Sequence, residues 1–467
     1  MFKVLLSFLS ISSVYAADLN ISTYIKCHQQ FTNQRVSSDS KVLLKIRSGE
    51  VSSQKACINL LEKASLNKNL QLKEQNPKTI AILKNIQSLH NSWFKLYNLN
   101  RETQDHGVTN VTDADQMAYY YTVALLSKDI PYSSVFTSTD TIWAKRKGSE
   151  ENIYSNDKDI QGRRSKIDGT GLRKWLVGGV KDNPDDYGDE YFWNPTLVEF
   201  GELIGFQRIK EHSYFKRLKE GKKLDQSSLT KNLFPGAFGS VPYLILNLGH
   251  DNEKTDGGYK IHRRFASNFF SDFLCRDLPV IEERDIHPQK ESKISFRNQK
   301  SCMACHETMD QFASLTSNLE IFNAGEVHTN AYVFRGIYQY KKSSNSNYQY
   351  TDKDPDFYQK KHSSRLYFRD YLGKLVNKEI SDSNRLGEVI KKLDDPYLCT
   401  ISRYFYFLTG IRIDLNNFTS MNKESDLRDF LIKLTKDLKT NQSTLKTIEE
   451  IIKSKYYISS NGPISNE

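Results

Sequence analysis

The sequence predicts a mainly α protein: a multi-helix module with an additional helical region on its N-terminal side. Two observations predict the helices. Apolar residues recur at three- and four-residue spacing in separate stretches along much of the chain. Helix start and stop signals bracket some of these stretches, as at Asp395-Pro396 and Gly410. A third observation places the protein. "MFKVLLSFLSISSVYA" carries Lys3, an apolar stretch from Val4 to Val14 and the small-x-small ending Val14-Tyr15-Ala16. That is the pattern of a signal peptide over residues 1–16, with cleavage expected after Ala16. No Cys follows the cut, as a lipid anchor would require, and no later stretch reaches the roughly 18 apolar residues of a membrane span. The expectation is a periplasmic or secreted protein with no transmembrane segment.

The chain has 467 residues, enough for more than one ordinary core. Apolar residues make up 38% and charged residues 26%, so the composition is globular rather than disordered. With 26 Tyr and 25 Phe, large rings should carry much of the core burial. The net charge of +10 is scattered, with no basic run interleaved with aromatics, which argues against nucleic-acid binding. It suits a solvated surface and makes an acidic partner plausible.

Taken in order, residues 17–145 read as an N-terminal helical region. "SQKACINLLEKASL" sets Ala56, Leu60, Leu61 and Ala64 at helical spacing, and "DADQMAYYYTVALLSKD" reads as an amphipathic helix capped by Asp113 or Asp115. Residues 146–235 read as an irregular linking region. Its acidic loop "DNPDDYGDEYFWNP", residues 182–195, lacks the spacing of a calcium loop. Residues 236–340 form the expected cofactor module. In it, "HRRFASNFFSDFLC" stacks Phe265, Phe269 and Phe273 beside Ala266, Phe270 and Leu274 as one packed helix. "TMDQFASLTSNLEIFNAGE" reads as a further helix ending near Gly325. Residues 341–380 read as an exposed loop region, being polar and turn-rich through 362. Residues 381–457 read as C-terminal helices. Asp395 is the expected N-cap of the first, and Ser443 the cap of the last, which carries Leu445, Ile448, Ile451 and Ile452. Residues 458–467 are expected to fray.

The chemistry concentrates in "SCMACHETMD", where Cys302 and Cys305 flank two residues and His306 follows at once. Random placement of these residue types would produce Cys-x-x-Cys-His roughly 0.002 times in such a chain. A structural zinc site would need a second ligand pair, whereas His328 and His362 downstream stand alone. A redox dithiol normally opens a helix after a buried strand, and the preceding "HPQKESKISFRNQK" is polar. Covalent haem c fits best. Two thiols three positions apart reach the two vinyl groups of one haem, and His306 then falls under the iron as an axial ligand. A signal peptide is consistent, because this attachment happens outside the cytoplasm. Of the six cysteines, Cys27, Cys57, Cys275 and Cys399 are left as disulfide candidates. Cys27 with Cys57 and Cys275 with Cys399 is the simplest of three possible pairings.

These motifs resemble the planctomycete-type cytochrome c family. The similarity runs through Cys302-x-x-Cys305-His306-x-x-Met309-Asp310, then Leu319-Glu320-x-Phe322 and Gly325, with Gln311 standing where the family has proline. It continues in patches upstream, in "DQMAYYYTVALLSKDIPYSSVFTSTDTIW" and "GHDNEKTDGGYKIHRRFASNFFSDFLC", and downstream in "LCTISRYFYFLTGIR", covering about half of the chain. The resemblance implies a secreted protein with one haem c in a cytochrome c-like helical module.

The sixth iron ligand decides between carrier and enzyme. Met303 and Met309 fall on the same side of the iron as His306, which leaves Met117, Met421, His250, His262 and His328 as candidates without a choice among them. The functional expectation is a monohaem c-type cytochrome performing one-electron transfer to an acidic redox partner. The alternatives are a peroxidase-like haem enzyme with an open distal site, or a surface-binding or sensing protein with structural haem.

Overall fold

A computed structural model describes residues 19–94, 115–147, 202–209, 232, 234–248, 260–287, 295–316, 364–421 and 425–459. It also describes the backbone of the strands at 108–110, 177–178, 193–194, 319–324 and 333–339. Residues 1–16, read above as a signal peptide, most of the acidic loop at 182–195, residues 341–362, His250, His328 and the final eight residues of the tail lie outside the described residues.

The described chain is mainly helical, as expected. Residues 19–32 form α1, followed by α2 (Lys41–Arg47), α3 (Ser53–Lys63) and α4 (Pro77–Asn91). Local sequence sets these ends. Ser52 caps α3 by accepting from Lys55 N, and Asn76 opens α4 in a reciprocal capping box with Thr79, with Pro77 in the first turn. The next helix, α5 (Gln116–Leu126), departs from the amphipathic expectation. All eleven of its residues are buried, so it runs through the interior rather than across a surface. Asp115 precedes it but makes no side-chain cap. A single turn, α6 (Ser134–Thr137), completes this half.

The helical reading of residues 17–145 also missed strands. β1 (Val108–Asn110) pairs in parallel with β7 (Val333–Gln339), which pairs antiparallel with β6 (Leu319–Ala324). β2 (Thr141–Lys147) pairs antiparallel with β5 (Glu202–Ile209), and the short β3 (Val177–Gly178) with β4 (Trp193–Asn194). The helix expected to run to Gly325 therefore stops at Ala313, passes through a 3-10 turn at Ser314–Thr316 and gives way to β6.

The packing that positions the cysteine-histidine motif comes from three elements. Helices α7 (Val241–Leu248) and α8 (Lys260–Leu274) precede it, and α9 (Lys300–Ala313) carries it. On α8, Phe265, Phe269, Phe273, Ala266, Phe270 and Leu274 are all at most 1% exposed, so the predicted stripe is core. Each such Phe contributes about 1.5–3 kcal/mol by burial. Phe312 of α9 packs its ring 4.7 Å from Phe269 and 6.0 Å from Phe265. The opposite support is a hairpin, β8 (Ser364–Arg369) with β9 (Leu375–Ile380). This corrects the expectation of an exposed loop to 380: Leu366 and Phe368 are fully buried, and Phe368 stacks edge-on against Phe270. Thr308 of α9 donates to Tyr367 O at 2.6 Å, which fixes the rotation of α9 against β8.

The C-terminal helices are α10 (Leu386–Ile390), α11 (Asp395–Thr409), α12 (Asp426–Asn441), α13 (Thr444–Lys453) and α14 (Lys455–Ser459). Asp395 is the first residue of α11 rather than its cap, a shift of one position; Gly410 ends the helix at φ +77° as expected. Ser443 caps α13 through Lys446 N. One apolar core runs from Cys27 on α1 through α4, α5, α8 and α11 to Tyr457 on α14. Two disulfides stitch it, Cys27–Cys57 between α1 and α3 and Cys275–Cys399 between the end of α8 and α11. Among the described residues, no helix is long and apolar enough to cross a membrane.

Candidate functional site

On α9, Cys302, Cys305, His306 and Met309 stand at i, i+3, i+4 and i+7, which places them on one stripe of the helix. The two cysteines are unpaired, while the other four cysteines are in disulfides. Both lie half-exposed with His306. Cys302 Sγ is 3.4 Å from Gln299 Oε1. Burial, aided by the neighbouring Cys302, pushes the Cys305 thiol up, so it stays protonated near neutral pH. The element immediately before α9 is a 3-10 turn, Ser295–Asn298, rather than a strand.

His306 is held from two sides. Its Nδ1 lies 3.0 Å from Asp310 Oδ1, one helical turn on. The Phe296 ring, from the preceding turn, lies against the imidazole at 4.3 Å between centroids and 35° between planes. An ionised carboxylate only accepts, so the proton of the neutral ring sits on Nδ1 and the Nε2 lone pair is left for another partner. No described residue hydrogen-bonds Nε2.

Asp310 is itself clamped. Its side chain is 6% exposed, and Arg263 of α8 binds it with both arms, Nε to Oδ1 at 2.6 Å and Nη2 to Oδ2 at 3.2 Å. Arg297 Nη2 lies 3.6 Å from Oδ2. Burial alone would raise this carboxyl, but the hydrogen bond from His306 and the Arg263 charge outweigh it and hold it below the usual range. Both guanidinium groups also lie near the Phe296 ring, at 5.5 and 5.8 Å from its centroid. Behind the stripe, burial raises Glu307, which accepts from Gln311 at 3.1 Å and faces His287 at 3.5 Å.

The residues fit a covalently held haem. Two free thiols share a stripe with an imidazole whose Nδ1 is occupied and whose Nε2 is available, the arrangement a metal-bound histidine requires. Among the described residues, no three His, Cys, Asp or Glu side chains converge as a site for a bare metal ion.

The described sixth-ligand candidates do not gather here. Met117 is fully buried within α5. His262 is buried with Nδ1 3.1 Å from Thr316 Oγ1, ten positions past His306 in the chain. Met421 closes a turn whose Phe418 packs against Tyr371. Met303 is buried on a different face of α9, and Met309 packs against the core.

Arg263, Arg297 and Phe296 carried no signal of their own in the sequence. The His-x-x-x-Asp spacing of His306 and Asp310 was the only legible trace of the clamp. A comparison with protein-family models, curated proteins and solved structures finds no match to this chain.

Proposed function

We propose that this protein is a monohaem c-type cytochrome that transfers single electrons outside the cytoplasm, as its resemblance to the planctomycete-type family implies. The observation that carries this reading is the α9 stripe. Cys302 and Cys305 are the only cysteines among the six left unpaired, and His306 stands beside them with its outer nitrogen available. The two disulfides suit an oxidising compartment.

Each thiol would add across one vinyl group of the porphyrin. The carbon–sulfur bond would form at one vinyl carbon and the thiol hydrogen would pass to the other, so no oxidant would be consumed. His306 Nε2 would hold the iron. The haem, once bound, supplies the one-electron couple. The chain's own residues do the rest. Asp310 keeps the imidazole proton on Nδ1 and fixes the ring's direction, and Phe296 covers one of its faces. The half-exposed stripe leaves an approach for a partner, and the +10 charge favours an acidic one.

A second reading, a peroxidase-like haem enzyme, is favoured by one feature. A carboxylate hydrogen-bonded to the axial imidazole makes it a stronger donor to iron, which suits higher oxidation states.

The test is intact mass after expression with a haem c attachment system. The wild type should gain the mass of one haem, and a C302A/C305A variant should fold and gain none. A wild type without added mass would overturn the reading.

A further inference from the structure

Resting on the haem reading above, we infer that the Arg263–Asp310–His306 relay is a tuning device for the iron, in which Asp310 lowers the reduction potential and Arg263 limits how far. Asp310 Oδ1 receives both the His306 Nδ1 proton at 3.0 Å and the Arg263 Nε proton at 2.6 Å. One carboxylate oxygen is thus shared between the axial ligand and a cation. The site is nearly dry, since the side chains of Asp310, Arg297 and Arg263 are 6%, 9% and 16% exposed. Charges there act with little screening.

A carboxylate pulling on the Nδ1 proton moves electron density toward Nε2. That stabilises ferric over ferrous iron and lowers the potential. Arg263 draws the same carboxylate the other way, and its positive charge opposes a further ferric charge. Asp310 and Arg263 are therefore positioning residues with opposite effects on one couple. Asp310 is placed by being one turn beyond His306 on α9. Arg263 is placed by the phenylalanine stripe that fixes α8 against α9. The Arg297 side chain, 3.6 Å from Oδ2, adds to the restraint.

The opposite signs separate tuning from a purely structural role. Loosened packing would let water toward the haem in either variant and shift both potentials the same way. The experiment is a redox titration of wild type, D310N, D310E and R263Q, each loaded with haem and checked for covalent attachment by mass.

The expected result for D310N is a positive shift of at least tenfold in the ferric-to-ferrous preference, which is 59 mV for a one-electron couple. R263Q should shift negatively, and D310E should return toward the wild type. Shifts of D310N and R263Q in the same direction, or a D310N shift below tenfold, would overturn the inference while leaving the haem reading intact. A wild type without covalent haem would remove both together, so the two failures are distinct.

Discussion

Burial drives two side chains, His90 and Asp395, in opposite directions. His90 is fully buried, with Nδ1 2.7 Å from Thr122 Oγ1 and Nε2 2.6 Å from the Tyr404 hydroxyl. Burial and the Arg403 charge push its pKa down to about 3. Asp395 is buried against Arg276 at 3.4 Å, yet burial outweighs that cation and lifts its pKa to about 7. The consequences for stability have opposite signs. His90 contributes stability that is complete above its unfolded value of 6.5 and lost as pH falls toward 3. Asp395 contributes stability that is complete below 3.8 and lost as pH rises through 7. Between pH 4.5 and 6.5 the two slopes oppose each other. D395N removes one of them. Its urea midpoint should rise with pH across that window more steeply than the wild type's, by up to about 2–3 kcal/mol in unfolding free energy. Equal slopes would show that Asp395 is ionised in the fold. Neither residue was legible as titrating unusually, because burial depends on partners distant in sequence, Tyr404 being 314 positions from His90 and Arg276 119 from Asp395. Cys302, Cys305 and His306 were legible because their geometry is written in a five-residue spacing. Arg263, 47 positions before Asp310, was not.

At the scale of the element, short-range helix patterns held, whereas strand pairing went unread. The α8 stripe and the caps at Ser443 and Gly410 lie in a few consecutive residues, and they form as the spacing predicts. Residues 319–324 were expected to be helical, but the backbone there finds β7 as a partner, and strand pairing is a non-local property. The same holds for β8, whose buried run Leu366-Tyr367-Phe368 lies between half-buried Arg365 and Arg369 and pairs with β9. Contacts between elements also fix residues that look replaceable. Gly387 on α10 sits where an added Cβ would be 2.1 Å from the carbonyl oxygen of Phe136 on α6. Gly387→Ala should therefore destabilise the protein by roughly 1–3 kcal/mol, read as a lower urea midpoint. An unchanged midpoint would mean that α6 and α10 can separate without loss.

At the scale of the whole molecule, covalent links join parts that are distant in sequence. Cys275–Cys399 spans 124 positions and ties the end of α8, and so the support of α9, to α11. Loop-closure entropy assigns such a link about 5 kcal/mol. The double variant C275A/C399A should lose a large share of that in denaturant unfolding. It should also loosen α9, seen as faster amide exchange in residues 300–313. Exchange there at the wild-type rate would show that the phenylalanine packing alone positions the site. The central claim is that this scaffold presents Cys302, Cys305 and His306 to a covalent haem. The most direct test is the visible spectrum of the exported protein, from a host that attaches haem c, oxidised and then dithionite-reduced, after acid-acetone extraction. The account predicts a Soret band that survives extraction, with sharp α and β bands on reduction for a carrier, or a high-spin spectrum if the distal iron site is open. No Soret band after extraction would contradict it and return Cys302 and Cys305 to thiol chemistry.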